Sequence, residues 1–164
     1  MEGRRKILNG TLEVSLRLLA IMTTSKMAMT VERLSVYSYF AVYLSDYQQG
    51  ENSIHPEIPY RNSSFINGND IIMQALDLLL TKGLAECDVK SSSLKFKVTE
   101  LGSALYNQID GTYKDKLVES IKKAHKMMKG KSDRHLNDYI YSNLANWGSE
   151  FEYESVLKEI ENEE

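Results

Sequence analysis

LAECDVKSSSLKFKVT, residues 84–99, decides the architecture of a chain that is otherwise patterned for helices. Two short runs, LAECDVK and LKFKVT, flank three consecutive serines. Small polar residues between two β-favouring runs predict a hairpin. Directly downstream, Thr99 is placed to cap ELGSALYNQI, with Glu100 in its first turn. Directly upstream, DIIMQALDLLLTKG has helical periodicity, with Asn69 or Asp70 as its cap and Gly83 as its stop.

Further upstream, a helix is expected from Thr11, as its cap, to about Thr24. Leu12, Leu16 and Leu19 form one apolar stripe and Val14, Leu18 and Ile21 another, which predicts a deeply buried helix. Glu13 and Arg17 stand one turn apart and can pair on the remaining face. Thr30 opens VERLSVYSYFAVYLSDY, read as one helix to about Tyr47. Its tyrosines, among them Tyr37, Tyr39 and Tyr43, suit either core lining with hydroxyls at the rim or an aromatic contact surface. Helix, helix, helix, hairpin, helix is the order of a winged helix. The expected fold is therefore mainly α with a small β-hairpin: a winged-helix domain over residues 8–110, with a long loop at 48–68, followed by a helical extension over 111–164.

The extension begins with YKDKLVESIKKAHKMMKG, a basic amphipathic helix with Leu117, Ile121, Ala124 and Met128 along one side. Ser132 is placed to cap DRHLNDYIYSNLANW, and a last helix, FEYESVLKEIEN, trails into glutamates. The net charge of −3 hides a split: residues 112–134 hold eight Lys/Arg against three Asp/Glu, and residues 135–164 one lysine against eight acids. Only the basic segment can supply attraction to a nucleic-acid backbone. Lys116, Lys122, Lys123, Lys126, Lys129 and Lys131 suit three roles: following a DNA backbone held by a larger complex, forming a solvated face, or pairing with the acidic tail. Lysine positions phosphates without reading bases.

Two features oppose DNA reading by the third helix. It offers Asn69, Asp70, Gln74, Asp77 and Lys82 but no arginine, and the hairpin adds only Lys90, Lys95 and Lys97; counterion release needs several bases. The connection to the second helix is also roughly twenty residues, against three or four in a helix-turn-helix. That connection contains SIHPEIPYR, residues 53–61, with both prolines of the chain. Pro56 and Pro59 stiffen it into an extended strap. Ile54 and Ile58 are expected to anchor the strap, leaving Glu57 and Arg61 to a partner. His55, Pro56, Ile58, Pro59 and Arg61 are thus candidate partner-binding residues, and a self-contained packed loop is the other reading.

Apolar residues are 42% and charged residues 26%, ordinary for a globular protein. The single cysteine, Cys87, precludes an internal disulfide, suits a reducing compartment and is expected to be a buried packing residue. LEVSLRLLAIM is too short to span a bilayer and carries Glu13 and Arg17, so a cytoplasmic protein without a membrane anchor is expected. His55, His125 and His135 are scattered, and no spacing matches a metal site. Ser132, Asp133, His135 and Asp138 lie on consecutive turns, where capping explains the first two. No glycine-rich phosphate loop occurs. The expectation is a protein without catalytic residues, metal or cofactor.

An ordered series of segments resembles a known family: TLEVSLRLLAIM, VERLSVYSYFAVYLSDY, SIHPEIPYR, the helix ending LLLTKGLAE, and LKFKVTELGSALYNQI before a Tyr113-led helix. Glu13 with Arg17, the run of Leu34, Tyr37, Tyr39 and Phe40, and His55-Pro56-x-x-Pro59-x-Arg61 carry the resemblance, which covers residues 8 to about 125. It is to the small middle component of bacterial ABC-three-component conflict systems, relatives of the small subunits of Lamassu-type antiphage complexes. The family pattern differs in carrying leucine at Ile54 and aspartate near Ser38. The resemblance implies a non-catalytic adaptor between a coiled-coil ABC ATPase of the structural-maintenance-of-chromosomes (SMC) type and an effector, commonly a nuclease, with Glu13, Arg17, the strap and the tyrosines at its partner surfaces. DNA would be met only through the assembly. The alternative is a dimeric winged-helix transcription regulator, with residues 113–129 as its dimer contact.

Overall fold

Three hydroxyls start three of the helices. Thr30 Oγ1 accepts from the Arg33 N–H at 3.2 Å, Thr99 Oγ1 from Gly102 at 3.0 Å and Ser132 Oγ from His135 at 3.2 Å. Each satisfies a backbone donor that the first turn leaves unpaired. The computed structural model describes residues 10–57 and 61–147. Its elements are α1 (Thr11–Ser25), α2 (Val31–Val42), α3 (Leu44–Tyr47), α4 (Ser63–Ile66), α5 (Asn69–Thr81), β1 (Ala85–Cys87), β2 (Phe96–Val98), α6 (Glu100–Asn107), α7 (Thr112–Met128) and α8 (Asp133–Asn143). The protein is mainly helical with one small antiparallel hairpin, as the sequence predicts.

α1 runs through the core, with Leu18, Leu19, Ile21 and Met22 fully buried among α5, α7, α6 and α2. Each such side chain contributes about 1.5–3 kcal/mol of transfer free energy. Ala85 pairs with Val98, Glu86 with Lys97 and Cys87 with Phe96. Met29, between α1 and α2, exchanges both backbone hydrogen bonds with Phe96, at 2.9 and 2.8 Å, stitching that connection to the hairpin. α6 comes so close to the entry of β1 that a Cβ on Gly102 would meet the Leu84 carbonyl oxygen at 2.1 Å. Only glycine fits there. Gly83, with φ +68°, makes the left-handed turn out of α5.

The basic helix α7 lies on α1 and α2, burying Leu117, Ile121, Ala124 and Met128. α8 then runs along α2, and Arg33 of α2 fastens the turn between α7 and α8. Its guanidinium donates to the Met128 and Lys131 carbonyls, each at 2.9 Å, and to Asp133 Oδ1 at 2.7 Å. Trp147, the only tryptophan, closes the described chain by stacking on Tyr39 at 5.5 Å.

Several expectations change. Thr11 is the first helical residue and not the cap, which is Gly10; its hydroxyl meets Gln74 Oε1 at 3.3 Å. α5 likewise starts from Gly68, one residue before Asn69. α2 stops at Val42, not Tyr47, because the strap takes its last carbonyl: Ile54 and His55 N–H donate to Val42 O at 2.9 and 3.2 Å. α1 is not buried all round, since Leu12 and Leu16 face solvent. Cys87 is exposed, because nothing covers the outer face of a two-stranded hairpin. The expected helix FEYESVLKEIEN lies outside the described residues.

Candidate functional site

The strap is tied down at both ends. His55 is buried, its Nε2 2.9 Å from the Tyr113 hydroxyl and 3.3 Å from Glu13 Oε1. The same Glu13 oxygen accepts from Arg17 Nη2 at 3.0 Å, and Arg17 Nη1 donates to Ser38 Oγ at 3.3 Å. One polar chain therefore joins α1, α2, the strap and the start of α7. At the other end Arg61 is 3% exposed, which corrects the expectation that it stays available to a partner. It makes a two-pronged pair with Asp46: Nη2 to Oδ1 at 2.7 Å and Nε to Oδ2 at 2.9 Å. The fork matches carboxylate geometry, which is why arginine suits a buried pair. Tyr39 donates to Asp46 Oδ2 at 2.7 Å. Burial, and then the Asp46 carboxylate, push the Tyr39 hydroxyl far above its ordinary range, so it remains a donor.

Within the strap, Pro56 and Glu57 face solvent, and Glu57 accepts from Ser45 Oγ at 2.5 Å. Ile54 packs against the core. Ile58 and Pro59 lie outside the described residues.

The three candidate tyrosines are core lining. Tyr37, Tyr39 and Tyr43 are at most 4% exposed. The Tyr39 and Tyr43 rings join a cluster with Phe40, Tyr47, Phe65, Tyr139 and Trp147, whereas the Tyr37 ring meets that of His125 at 6.0 Å. Tyr37 Oη lies 3.0 Å from His125 Nδ1. Burial, with the charges of Lys129 and Arg33, holds His125 below the usual histidine range. At Asp133 burial acts upward, but hydrogen bonds from Thr30 and Arg33 outweigh it and the carboxyl is held low. Glu13 and Arg17 pair as predicted, with Arg17 5% and Glu13 26% exposed in their side chains.

The basic residues of α7 and of the turn after it do face outward: Lys116, Lys122 and Lys126 on the helix, and Lys129 and Lys131 beyond its end, are exposed. Lys123 bridges Glu51 at 2.8 Å and Glu119 at 3.4 Å, and those hydrogen bonds raise its pKa. Lys131 Nζ sits 6.0 Å over the Tyr47 ring. The outward face of α5 presents Asp70, Met73, Gln74 and Asp77, two carboxylates and no base. Among the described residues no group of three or more His, Cys, Asp or Glu is placed to hold a metal ion, and no helix is long and apolar enough to cross a membrane.

Sequence reading missed Asp46, Tyr113 and Ser38 as partners of the strap and α1, and Arg33 with Asp133 as the clamp on α8. Asp46 leaves one trace, a lone acid in the aromatic run SYFAVYLSDY. The others have no local signal, since their partners lie 21 to 103 residues away.

Residues 7–150 match the family model described as ABC-three component (ABC-3C) system Middle Component 2. No curated protein and no solved structure matches the chain.

Proposed function

We propose, from the premise that the chain belongs to the middle component 2 family of ABC-three-component systems, that it is a non-catalytic adaptor bridging an ABC ATPase of the SMC type to an effector nuclease. The finer placement among Lamassu-type antiphage complexes of the bacterial cytoplasm, and the winged-helix assignment, belong to the same proposal. The Met29–Phe96 bridge supports the winged helix, since it gives the hairpin a third strand-like partner between the first two helices.

One observation carries the adaptor reading: the face of α5 that would enter a major groove presents Asp70 and Asp77 around Met73 and Gln74. Carboxylates facing phosphates repel, and affinity for DNA depends on cations. The regulator alternative also loses its dimer contact, because the apolar side of α7 is already buried on α1 and α2. Contact with DNA is then backbone-only and made inside the assembly, through Lys116, Lys122, Lys126 and Lys129.

The test is co-expression with the ATPase and effector of its own system. We expect the three to elute together, and the isolated protein to hydrolyse no ATP and cut no DNA. Tight, sequence-dependent DNA binding by the isolated protein at physiological salt, or catalysis by it alone, overturns the reading.

A further inference from the structure

Arg134 sits where folding has no use for it. It lies in the first turn of α8, where the helix dipole disfavours a cation. Its side chain is 92% exposed, and its one ion pair among the described residues, with an equally exposed Asp138, is 3.9 Å long. Such a surface pair contributes about 0–1 kcal/mol. Lys126 and Lys129, by contrast, complement the C-terminal end of α7, so the dipole accounts for them. It does not account for Arg134.

Three segments far apart in sequence meet beside it. The α1–α2 connection is bridged to the hairpin at Met29 and Phe96, and Thr30 donates to Asp133 Oδ2 at 2.6 Å. Lys95, next to Phe96, is thereby brought to the start of α8. Burial pushes the Asp133 carboxyl up, yet hydrogen bonds from Thr30 and Arg33, with the charges of Arg33 and Lys95, hold it low. At the end of α7 burial lowers His125, and the charges of Lys129 and Arg33 lower it further. Both shifts report a positive local potential. KMMKGKSDR, residues 126–134, holds four bases and one acid, and that acid is engaged by Arg33 at 2.7 Å. The other acids of these elements are Glu32, Asp88 and Asp138. Among the described residues none of them forms an ion pair with Lys95, Lys126 or Lys129.

The make-up of this surface selects its occupant. Lysine is depleted from protein interfaces, whose centres are aromatic and apolar. Between Tyr113 and Tyr141 no large apolar side chain is exposed. A lipid surface would also need an apolar anchor beside the charges. Cations alone suit a polyanion with regularly repeated phosphates.

We propose that a DNA backbone crosses the junction of the hairpin with the α7–α8 turn, its phosphates held by Lys95, Lys126, Lys129 and Arg134. This deepens the adaptor reading, on which it rests: it centres the DNA contact on the end of α7 and adds Lys95 and Arg134, which lie outside that helix.

The test uses the complex co-expressed with the ATPase and effector of its own system and a short mixed-sequence duplex. Lys95→Gln with Arg134→Gln should weaken binding roughly ten-fold and flatten the slope of log affinity against log salt by about 2, one for each lost phosphate contact. Two unrelated duplexes should bind alike, since these contacts read no bases. The melting temperature of the isolated variant should stay within about 2 °C of wild type, because neither side chain is buried. A photo-crosslinking p-benzoylphenylalanine in place of the exposed His135 should capture DNA. Capture of the ATPase or effector instead makes the junction a protein contact and overturns the proposal, as does capture of residues 148–164. If Lys95→Gln with Arg134→Gln binds like wild type, the junction is wrong; a loss in Lys116→Gln with Lys122→Gln then leaves the adaptor reading standing, with DNA along the start of α7. If the wild-type complex holds no duplex, this inference and the DNA contact of that reading fall together.

Discussion

Replacing Arg61 by methionine removes a guanidinium that is 3% exposed and leaves Asp46, itself 4% exposed in its side chain, with the Tyr39 hydroxyl at 2.7 Å. Breaking a buried pair from one side costs about 3–5 kcal/mol, because the remaining charge keeps its desolvation penalty without its counterion. A domain of this size has about 5–15 kcal/mol in total. At roughly 2–4 °C per kcal/mol, the melting temperature should fall by about 10 °C. Urea unfolding followed by the fluorescence of Trp147, the sole tryptophan and stacked on Tyr39, reads the loss directly. Arg61→Met combined with Asp46→Asn should recover most of it, since removing both charges also removes the stranded one. The double-mutant cycle should give a coupling of at least about 2 kcal/mol. A loss under about 1 kcal/mol for Arg61→Met, or strict additivity in the cycle, refutes the account of the strap as an internal tie.

Three other perturbations probe separate parts of the fold. His125 is held below 6.5 by burial, Lys129 and Arg33, with Tyr37 as its contact. A base whose folded pKa is depressed contributes stability present above its unfolded value and lost as pH falls through the folded one. The urea midpoint should thus drop between pH 7 and pH 5, and His125→Gln should flatten that slope; an unchanged slope rejects the assignment. Arg33→Met should cost at least about 2 kcal/mol by removing charged hydrogen bonds to two carbonyls and Asp133, read by urea unfolding. Gly102→Ala should cost about 1–3 kcal/mol, as a Cβ 2.1 Å from the Leu84 oxygen forces α6 off the hairpin; a neutral thermal melt contradicts that close approach.

Local chemistry was readable in the sequence where one turn decides the outcome. Thr30, Thr99 and Ser132 cap as expected, the serine turn joins two strands, and Glu13 meets Arg17. Long-range competition was not. Val42 ends α2 only because a segment twelve residues on takes its carbonyl. The tyrosines suited core lining first and a contact surface second, but the sequence carried no sign that Asp46 and His125 would partner the Tyr39 and Tyr37 hydroxyls. Two apolar stripes on α1 predicted a deeply buried helix, yet Leu12 and Leu16 of one stripe are exposed: periodicity reports which faces want cover and not whether the same chain supplies it. Arg61 looked available because its acid lies fifteen residues back across a proline-bearing connection.

Tethering at both ends has a topological outcome. His55 is bound to α1 and α7, and Arg61 to α3. If a protease severed the backbone between these anchors, the two fragments would run apart on a denaturing gel yet migrate as one species under native conditions. The protein could then be supplied as two separately expressed pieces that reconstitute, and the cut site would accept an inserted tag or reporter without dismantling the core.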